Sequence, residues 1–132
     1  KVYMALVKGK LTPERGTIVA PVGRDMRNPT KMAVVSGGRP AVTDYTVKQY
    51  IGDCTLVEVK PETGRTHQIR VHFASIGYPL IGDAVYGVKS PYLSRQFLHA
   101  CRLSFNLPST GKRVEFASEL PDDLKEALAK LA

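Results

Sequence analysis

The stretch PETGRTHQIRVH, Pro61–His72, is where the hydrophobic period of this sequence changes. The residues before it, CTLVEVK, alternate apolar and polar side chains with a period of two, which is typical of a half-buried strand. After it begins, Ile69, Phe73 and Ile76 recur at i, i+4 and i+7, the spacing of one helix face. This change predicts a strand, a tight turn and then a short helix over residues 66–76.

Short local signals set the boundaries of these elements. Thr63 or Thr66 supplies a hydroxyl suited to capping the start of the helix, and Gly77 followed by Pro79 favours a stop. The glycine-first pair at positions 52–53 separates two β-rich runs, AVTDYTVKQYI and CTLVEVK, and therefore predicts a hairpin. The helix is expected to follow the second arm of this hairpin.

The rest of the chain favours further strands and one more helix. Strands are predicted at Val2–Val7, Lys31–Val35, FLHACRLSF (97–105) and RVEF (113–116), the last two joined by the turn PSTGK. The terminal run PDDLKEALAKLA predicts a second helix with the apolar stripe Leu124, Leu128 and Leu131, and Asp122 and Asp123 suit the positive end of its dipole. We therefore expect one α+β domain over residues 1–132, with a mainly antiparallel mixed sheet and two short helices.

Composition and charge limit the classes of function. The chain has 132 residues, 43% of them hydrophobic, and neither a run long enough to cross a bilayer nor a signal-peptide pattern. Cys54 and Cys101 are too few and too far apart for a disulfide framework, so free thiols in a reducing cytoplasm are expected. The net charge of +7 favours a polyanion such as RNA or DNA as partner, although solubility alone also accounts for such a charge.

The Pro61–His72 stretch is unusually rich in hydrogen-bond donors. His67 and His72 are five residues apart, which places them on different sides of a helix, so no metal site is predicted. Arg65 stands at the helix start beside free backbone N–H groups and close to Gln68 and Arg70, which outlines an anion site. The alternative for any one of these residues is structural: Arg65 pairs with a carboxylate of the fold, and the histidines pack in the core.

Four blocks of the sequence resemble one protein family, in the same order. The blocks are KVYMALVKG, RDMRNPTKMAVV, TGRTHQIRVHFASIGYPLIGDAVYG and RQFLHACRLSF followed by PSTGK. Through them, over essentially the whole chain, the sequence resembles the later part of the RluA-type pseudouridine synthases. The resemblance implies an isomerase that converts chosen uridines of ribosomal or transfer RNA to pseudouridine, with neither metal nor organic cofactor.

The resemblance also implies roles for three residues. Tyr3 matches a tyrosine that lies against the target base, Arg65 an arginine that ion-pairs with the catalytic aspartate, and Leu98 an apolar residue that lines the base pocket. A nucleophilic carboxylate is held ionised by a neighbouring guanidinium, and an extruded base needs an aromatic or apolar wall. Basic residues predicted to contact the RNA are Lys8, Arg24, Arg27, Lys31, Arg39, His67 and Arg70. Solvated surface charge is an equally good account of any single lysine or arginine in the turn-rich segments.

One block of the family is absent. The nucleophile of these enzymes is an aspartate in an H-R-L-D-x-x-T-S-G block, whereas Asp25, Asp44, Asp53 and Asp83 all stand in other contexts. The sequence also opens at Lys1 directly on a strand, so we expect a carboxy-terminal portion of a synthase whose missing amino-terminal part carries the nucleophile. The chain alone is then expected to be inactive, and an exposed sheet edge would permit self-association.

Two other classes of function fit parts of the sequence. A non-catalytic RNA-binding module explains the charge and the absent aspartate, but only 8% of the residues are aromatic, which leaves few platforms for stacked bases. An enzyme that acts on a phosphorylated small molecule would use the Arg65 turn in the same way, yet it would show its own nucleophile or base. Pseudouridine synthesis is the preferred hypothesis, and the RNA-binding module comes second.

Overall fold

The structure, a computed structural model, describes residues 1–106, 108 and 110–132. The elements of these residues are, in chain order, β1 Val2–Lys8, β2 Arg15–Val19, β3 Val22–Arg24, β4 Met32–Val34, β5 Val42–Ile51, β6 Cys54–Pro61, α1 Gln68–Ser75, β7 Leu98–Asn106, β8 Arg113–Ala117 and α2 Asp122–Leu131. The α+β class is confirmed, and so is the pair of short helices.

Six strands form the main sheet in the order β2-β5-β6-β1-β7-β8, and every ladder in it is antiparallel. The predicted hairpin is present as β5 and β6, and Gly52 in its two-residue turn has a φ of 58°, which glycine adopts without a steric penalty. Strands β3 and β4 pair with each other as a separate small hairpin. The sheet thus has β2 and β8 at its edges, and self-association through an edge stays a prediction.

The two helices cover opposite faces of the sheet, because successive side chains of a strand point to opposite sides. On one face, Ala5 and Val59 of the strands are buried against Ile69 and Phe73 of α1. On the other, Leu6 is buried with Leu124 and Ala127 of α2 and with Phe97. The register pairs Tyr3 with Val59 and Ala5 with Leu98, so Tyr3 and Leu98 lie on the face that α1 covers.

Helix α1 starts two residues later than predicted, and neither Thr63 nor Thr66 caps it. Instead, His67 precedes the helix in the left-handed conformation, with φ 55° and ψ 22°, and its side chain makes no capping bond. The side chain of Gln68 turns back and accepts hydrogen bonds from the Thr63 hydroxyl, at 2.7 Å, and from the Arg65 N–H, at 3.0 Å. The 63–67 segment therefore forms a separate turn and does not enter the helix.

The other differences lie at the ends of elements. Ile76, predicted on the buried face, is 39% exposed because the helix ends at Ser75, and Gly77 follows with a φ of 89°. The strand predicted at Lys31–Val35 is shorter, Met32–Val34. The strand pair β7 and β8 and the second helix form as predicted, whereas the PSTGK turn includes Ser109, which is outside the described residues. No described helix is long and apolar enough to cross a membrane.

Candidate functional site

A cleft of about 430 Å³ opens where the start of β1 and the end of β6 meet the turn before α1. We call it the Arg65 cleft. Its lining residues are Lys1, Tyr3, Pro61, Thr63, Gly64, Arg65, His67, Gln68, Ile69, Arg70, Gln96 and Leu98. The fold thus brings Tyr3, Arg65 and Leu98 to one place, although they are far apart in the sequence.

One wall of the Arg65 cleft is apolar. Tyr3 and Leu98 are half-buried and pack against the core beneath α1, and Ile69 of the helix completes this wall. Tyr3 and Ala5 alternate on one side of β1, and Leu98 is the partner of Ala5 on β7, so these side chains are held by the register of the sheet. The wall is suited to pack against the flat face of an aromatic ring.

Arg65 is held in place by one hydrogen bond from its backbone and one from its side chain. Its N–H donates to Gln68 Oε1 at 3.0 Å, and its Nε donates to the carbonyl of Pro40 at 2.8 Å. Within the described part of the chain, Arg65 forms no ion pair with an aspartate or glutamate. The structural carboxylate considered as its partner is therefore not present there.

A buried polar network anchors the turn that carries Arg65. Gln68 Nε2 donates to the carbonyl of Val42 and to Thr43 Oγ1, at 3.0 and 2.9 Å. Thr43 Oγ1 is also 2.8 Å from His72 Nδ1, and His72 Nε2 is 2.9 Å from the carbonyl of Ala20. A carbonyl can only accept a hydrogen bond, so the proton of the His72 ring is on Nε2, which donates to Ala20. Nδ1 then accepts a hydrogen bond from the Thr43 hydroxyl. Burial lowers the pKa of His72, which keeps its ring neutral.

The ion pair with a carboxylate of the fold, expected as one alternative for Arg65, is formed by Arg70. Its Nε and Nη2 bond to the two carboxylate oxygens of Asp83, at 2.8 and 2.9 Å, and Asp83 is fully buried. Asp83 also accepts the N–H groups of Val85 and Tyr86. Burial raises the pKa of this carboxyl, but the Arg70 and backbone hydrogen bonds outweigh burial, so the pKa stays below its ordinary value.

Tyr86 links the cleft to the β3–β4 hairpin. Its hydroxyl is 2.9 Å from His67 Nδ1 and accepts the N–H of Met32, also at 2.9 Å. The guanidinium of Arg70 lies 4.9 Å from the centre of the Tyr86 ring, and the ammonium of Lys31 lies 5.8 Å from it. Burial and the Arg70 charge lower the pKa of His67. His67 and Arg70, which line the cleft, and Lys31 of the hairpin are thus gathered around the Tyr86 ring.

The remaining basic residues predicted to contact RNA are not all near this group. Lys8 pairs with Asp53 at the far end of β1, five residues and roughly 17 Å along the strand from Tyr3. Arg24 donates from Nη1 to the carbonyl of Pro29, at 2.9 Å, in the β3–β4 hairpin. Arg27 and Arg39 are exposed. A contact of any of them with RNA stays a prediction.

Sequence reasoning missed several features of the site. Lys1 and Gln96 line the cleft, and the only signal for them was their position in the same blocks as Tyr3 and Leu98. Gln68 and Tyr86 also escaped prediction as positioning residues, because their partners lie on other elements. No aspartate or glutamate is among the lining residues; Arg70 is paired with Asp83 behind the cleft, whereas Arg65 has no carboxylate partner among the described residues.

Comparison with known proteins identifies the family. A family model described as RNA pseudouridylate synthase matches residues 1–75, more than half of the chain. The chain belongs to the RNA pseudouridylate synthase family. It is 53% identical over 133 residues to a protein of Chloroflexus aurantiacus named "Uncharacterized RNA pseudouridine synthase", which covers 99% of this chain and 42% of the relative. It is 47% identical over 135 residues to ribosomal large subunit pseudouridine synthase D of Nitrosomonas europaea, covering 96% of this chain and 39% of that protein.

A solved structure agrees with this assignment. The structure of human RNA pseudouridylate synthase domain containing 1 superposes with a TM-score of 0.78 at 36% identity, covering 92% of this chain and 54% of the human chain. The resemblance to RluA-type synthases is therefore confirmed, and the reading as a non-catalytic RNA-binding module is not favoured. The chain spans about two fifths of the length of the curated relatives named above.

Proposed function

We propose that this chain supplies the base-binding wall and the arginine of a pseudouridine synthase centre that acts on ribosomal or transfer RNA. The nucleophilic aspartate comes from another segment of the same polypeptide. The observation that carries the proposal is the convergence of Tyr3, Arg65 and Leu98 on one cleft, because the resemblance implied these three residues separately. The family membership and the relatives named as pseudouridine synthases support the same reaction.

The geometry suits the chemical requirements of this reaction. A uridine must leave its stack before its glycosidic bond is reached, and a pocket with an aromatic or apolar wall receives the extruded base. Tyr3 and Leu98 provide that wall. The uracil is then detached from its sugar and rejoined through carbon, which requires a carboxylate that is ionised and held in one orientation. Arg65 has no carboxylate partner among the described residues, so its guanidinium is available to hold the nucleophile by two hydrogen bonds.

The surroundings of the cleft favour a polyanionic substrate. Lys1 and Arg65 line it and form no ion pair within the described part of the chain, and the whole chain carries a net charge of +7. Phosphates are attracted to such a surface, and a protein that neutralises several phosphates releases their counterions. RNA binding by the chain is therefore expected to weaken steeply as the salt concentration rises.

The chain has six aspartates, and none is placed to act as the nucleophile, because Asp122 and Asp123 belong to α2 on the other face of the sheet and the other four are engaged elsewhere. Asp25 bonds to the backbone of its own turn, Asp44 to the Thr17 hydroxyl, Asp53 to Lys8 and Asp83 to Arg70. None of the six lines the Arg65 cleft. We therefore propose that the 132-residue chain by itself does not form pseudouridine.

The test compares the 132-residue chain with the longer polypeptide proposed to carry it. Both are incubated with unmodified ribosomal RNA, and pseudouridine is measured by mass spectrometry. Product is expected only from the longer polypeptide. Turnover by the 132-residue chain would place the nucleophile within it and contradict the proposal, and so would absence of product on every RNA offered to the longer polypeptide.

Arg65→Lys in the longer polypeptide tests the assigned role of the arginine. Lysine keeps the charge but loses the planar two-point hold on a carboxylate, so single-turnover formation of pseudouridine should slow far more than RNA binding weakens. Arg27→Ala is the matched control, because a phosphate contact there should weaken RNA binding and leave the chemical step unchanged at saturating RNA. An Arg65→Lys protein that reacts at the parent rate would show that the arginine is structural or only grips phosphate.

A further inference from the structure

The turn at the tip of the β3–β4 hairpin presents an apolar side chain to solvent. Met26 is 90% exposed, more than any other large hydrophobic residue for which the structure gives an exposure. It stands between Arg24 and Arg27 in the run RDMRN. The side chain of Met26 is not part of the hydrophobic core, so its role would lie in a contact with another molecule.

Hydrogen bonds within the turn fix its backbone. Asp25 Oδ1 accepts the N–H groups of Arg27 and Asn28, at 2.9 and 3.4 Å. The Asp25 N–H donates to the carbonyl of Lys31, and the Lys31 N–H donates to the carbonyl of Asn28, both at 2.9 Å. The side chain of Met26 is thus projected from an ordered turn, which lowers the entropic cost of using it in a contact.

The hairpin is joined to the Arg65 cleft through Tyr86. The Tyr86 hydroxyl accepts the N–H of Met32 in β4 and lies 2.9 Å from His67 Nδ1 at the cleft. Lys31, at the base of the turn, lies over the Tyr86 ring. Met26 is two residues beyond the end of β3, in the turn that leads to β4, and the N–H of Met32 in β4 is bonded to Tyr86 at the cleft.

The charges of the tip select the kind of partner. Arg24, Arg27 and Lys31 are cationic, and against the single carboxylate of Asp25, whose Oδ1 accepts two backbone N–H groups, they leave the tip with about two excess positive charges. An apolar side chain between cations matches a nucleic acid with an unstacked base, because the base offers an apolar face and the adjoining phosphates pair with the cations. When a uridine is extruded from an RNA stack, the base next to the position it has left loses a stacking partner and exposes its apolar face.

We propose that Met26 packs against an unstacked base next to the nucleotide held in the Arg65 cleft, while Arg24 and Arg27 contact the flanking phosphates. The assignment rests on the proposed function, and it adds a feature of the substrate: an unpaired loop and not a continuous duplex. Insertion of an apolar side chain beside the vacated position would also disfavour return of the uridine to its stack.

Met26→Ala tests the proposal in the 132-residue chain. The probes are a 17-nucleotide RNA stem–loop with a seven-nucleotide uridine-rich loop and a 12-base-pair RNA duplex, each measured by fluorescence anisotropy across a salt series. If about half of the Met26 side chain is buried against the base, its removal should weaken stem–loop binding by about fivefold. Binding of the duplex should not change. The salt slope should also stay at the parent value, because no phosphate contact is lost.

Two control variants separate the possible outcomes. Arg27→Ala should weaken binding of both RNAs and make the salt slope shallower by about one counterion. Tyr92→Ala, on an exposed aromatic residue that contacts Lys130 of α2 on the other face of the sheet, should leave both affinities unchanged. Because Met26 is 90% exposed, the urea midpoint of Met26→Ala should equal that of the parent.

The proposal is overturned if Met26→Ala binds the stem–loop as the parent does, or if its losses on stem–loop and duplex are equal. A change in sedimentation with RNA affinity intact would also overturn it, because Met26 would then serve contacts between copies of the chain. These results leave the proposed function standing. If the parent chain binds neither RNA at low salt, the RNA contacts assigned to the chain under the proposed function fail together with the role of Met26.

Discussion

Replacing Asp83 with asparagine should destabilise this fold far more than replacing Asp123, although both aspartates hold an arginine with nearly the same geometry. The Arg70–Asp83 pair has N···O distances of 2.8 and 2.9 Å, and the Arg95–Asp123 pair has 2.9 and 3.1 Å. Their environments differ. The side chains of Arg70 and Asp83 are 12% and 0% exposed, whereas those of Arg95 and Asp123 are 41% and 49% exposed.

The size of the Asp83→Asn effect follows from the bonds that change. The amide oxygen of asparagine still accepts the N–H groups of Val85 and Tyr86 where Asp83 Oδ1 did, but the amide nitrogen faces the Arg70 Nε–H with a donor. Removing one partner of a buried ion pair typically costs 3–5 kcal/mol. We expect about 3 kcal/mol, the lower end, because the 12% exposure of Arg70 admits some water. Asp123→Asn should cost only a small part of this, because solvent screens the exposed pair.

Urea unfolding of the 132-residue chain, followed by circular dichroism, measures both losses. With a slope of about 2 kcal/mol per molar urea for a chain of this size, the midpoint of Asp83→Asn should fall by about 1.5 M. The midpoint of Asp123→Asn should stay close to the parent. Equal losses at the two positions would refute the argument that burial sets the contribution of the pair. A midpoint of Asp83→Asn at the parent value would show that Arg70 finds other partners.

Three further predictions concern the turn and the loop that support the cleft. Because burial lowers the folded pKa of His72 below its ordinary 6.5, the unfolded state binds the proton more readily, and the free energy of unfolding should fall as pH drops below 6.5; urea midpoints from pH 8 to 5 should show a flatter profile for His72→Gln. Gln68→Leu removes four hydrogen bonds from a residue that is 4% exposed and should cost about 3 kcal/mol by the same assay, and a loss below about 1 kcal/mol would contradict the network. Gly82→Ala should cost at least about 2 kcal/mol, because φ is 81° and an added methyl group would collide with the Arg95 carbonyl, whereas Gly64→Ala meets no atom within 4 Å and should unfold near the parent midpoint.

The sequence by itself determined the elements whose signals are local. The alternation in CTLVEVK, the glycine-first pair at 52–53 and the apolar spacing of Ile69 and Phe73 were sufficient to predict the β5–β6 hairpin and α1. The same holds for α2, whose stripe begins at the buried Leu124. Each signal lies within about a dozen residues, so it can be recognised without knowing which other elements pack against that segment. The motif blocks were likewise sufficient to indicate the family.

The tertiary structure decided which polar groups meet. Arg65 and Arg70 stand in the same motif, and nothing in the sequence tells which of them pairs with a carboxylate. In the structure Arg70 binds the buried Asp83, and Arg65 has no carboxylate partner among the described residues. The start of α1 at Gln68 depends on bonds from that side chain to β5, so no local capping rule could predict it. Tyr3, on β1, reaches the cleft only because of its register with β6. A side chain's periodicity is a local property, but its hydrogen-bond partners are chosen through space, where burial makes a wrong choice costly and so leaves one arrangement.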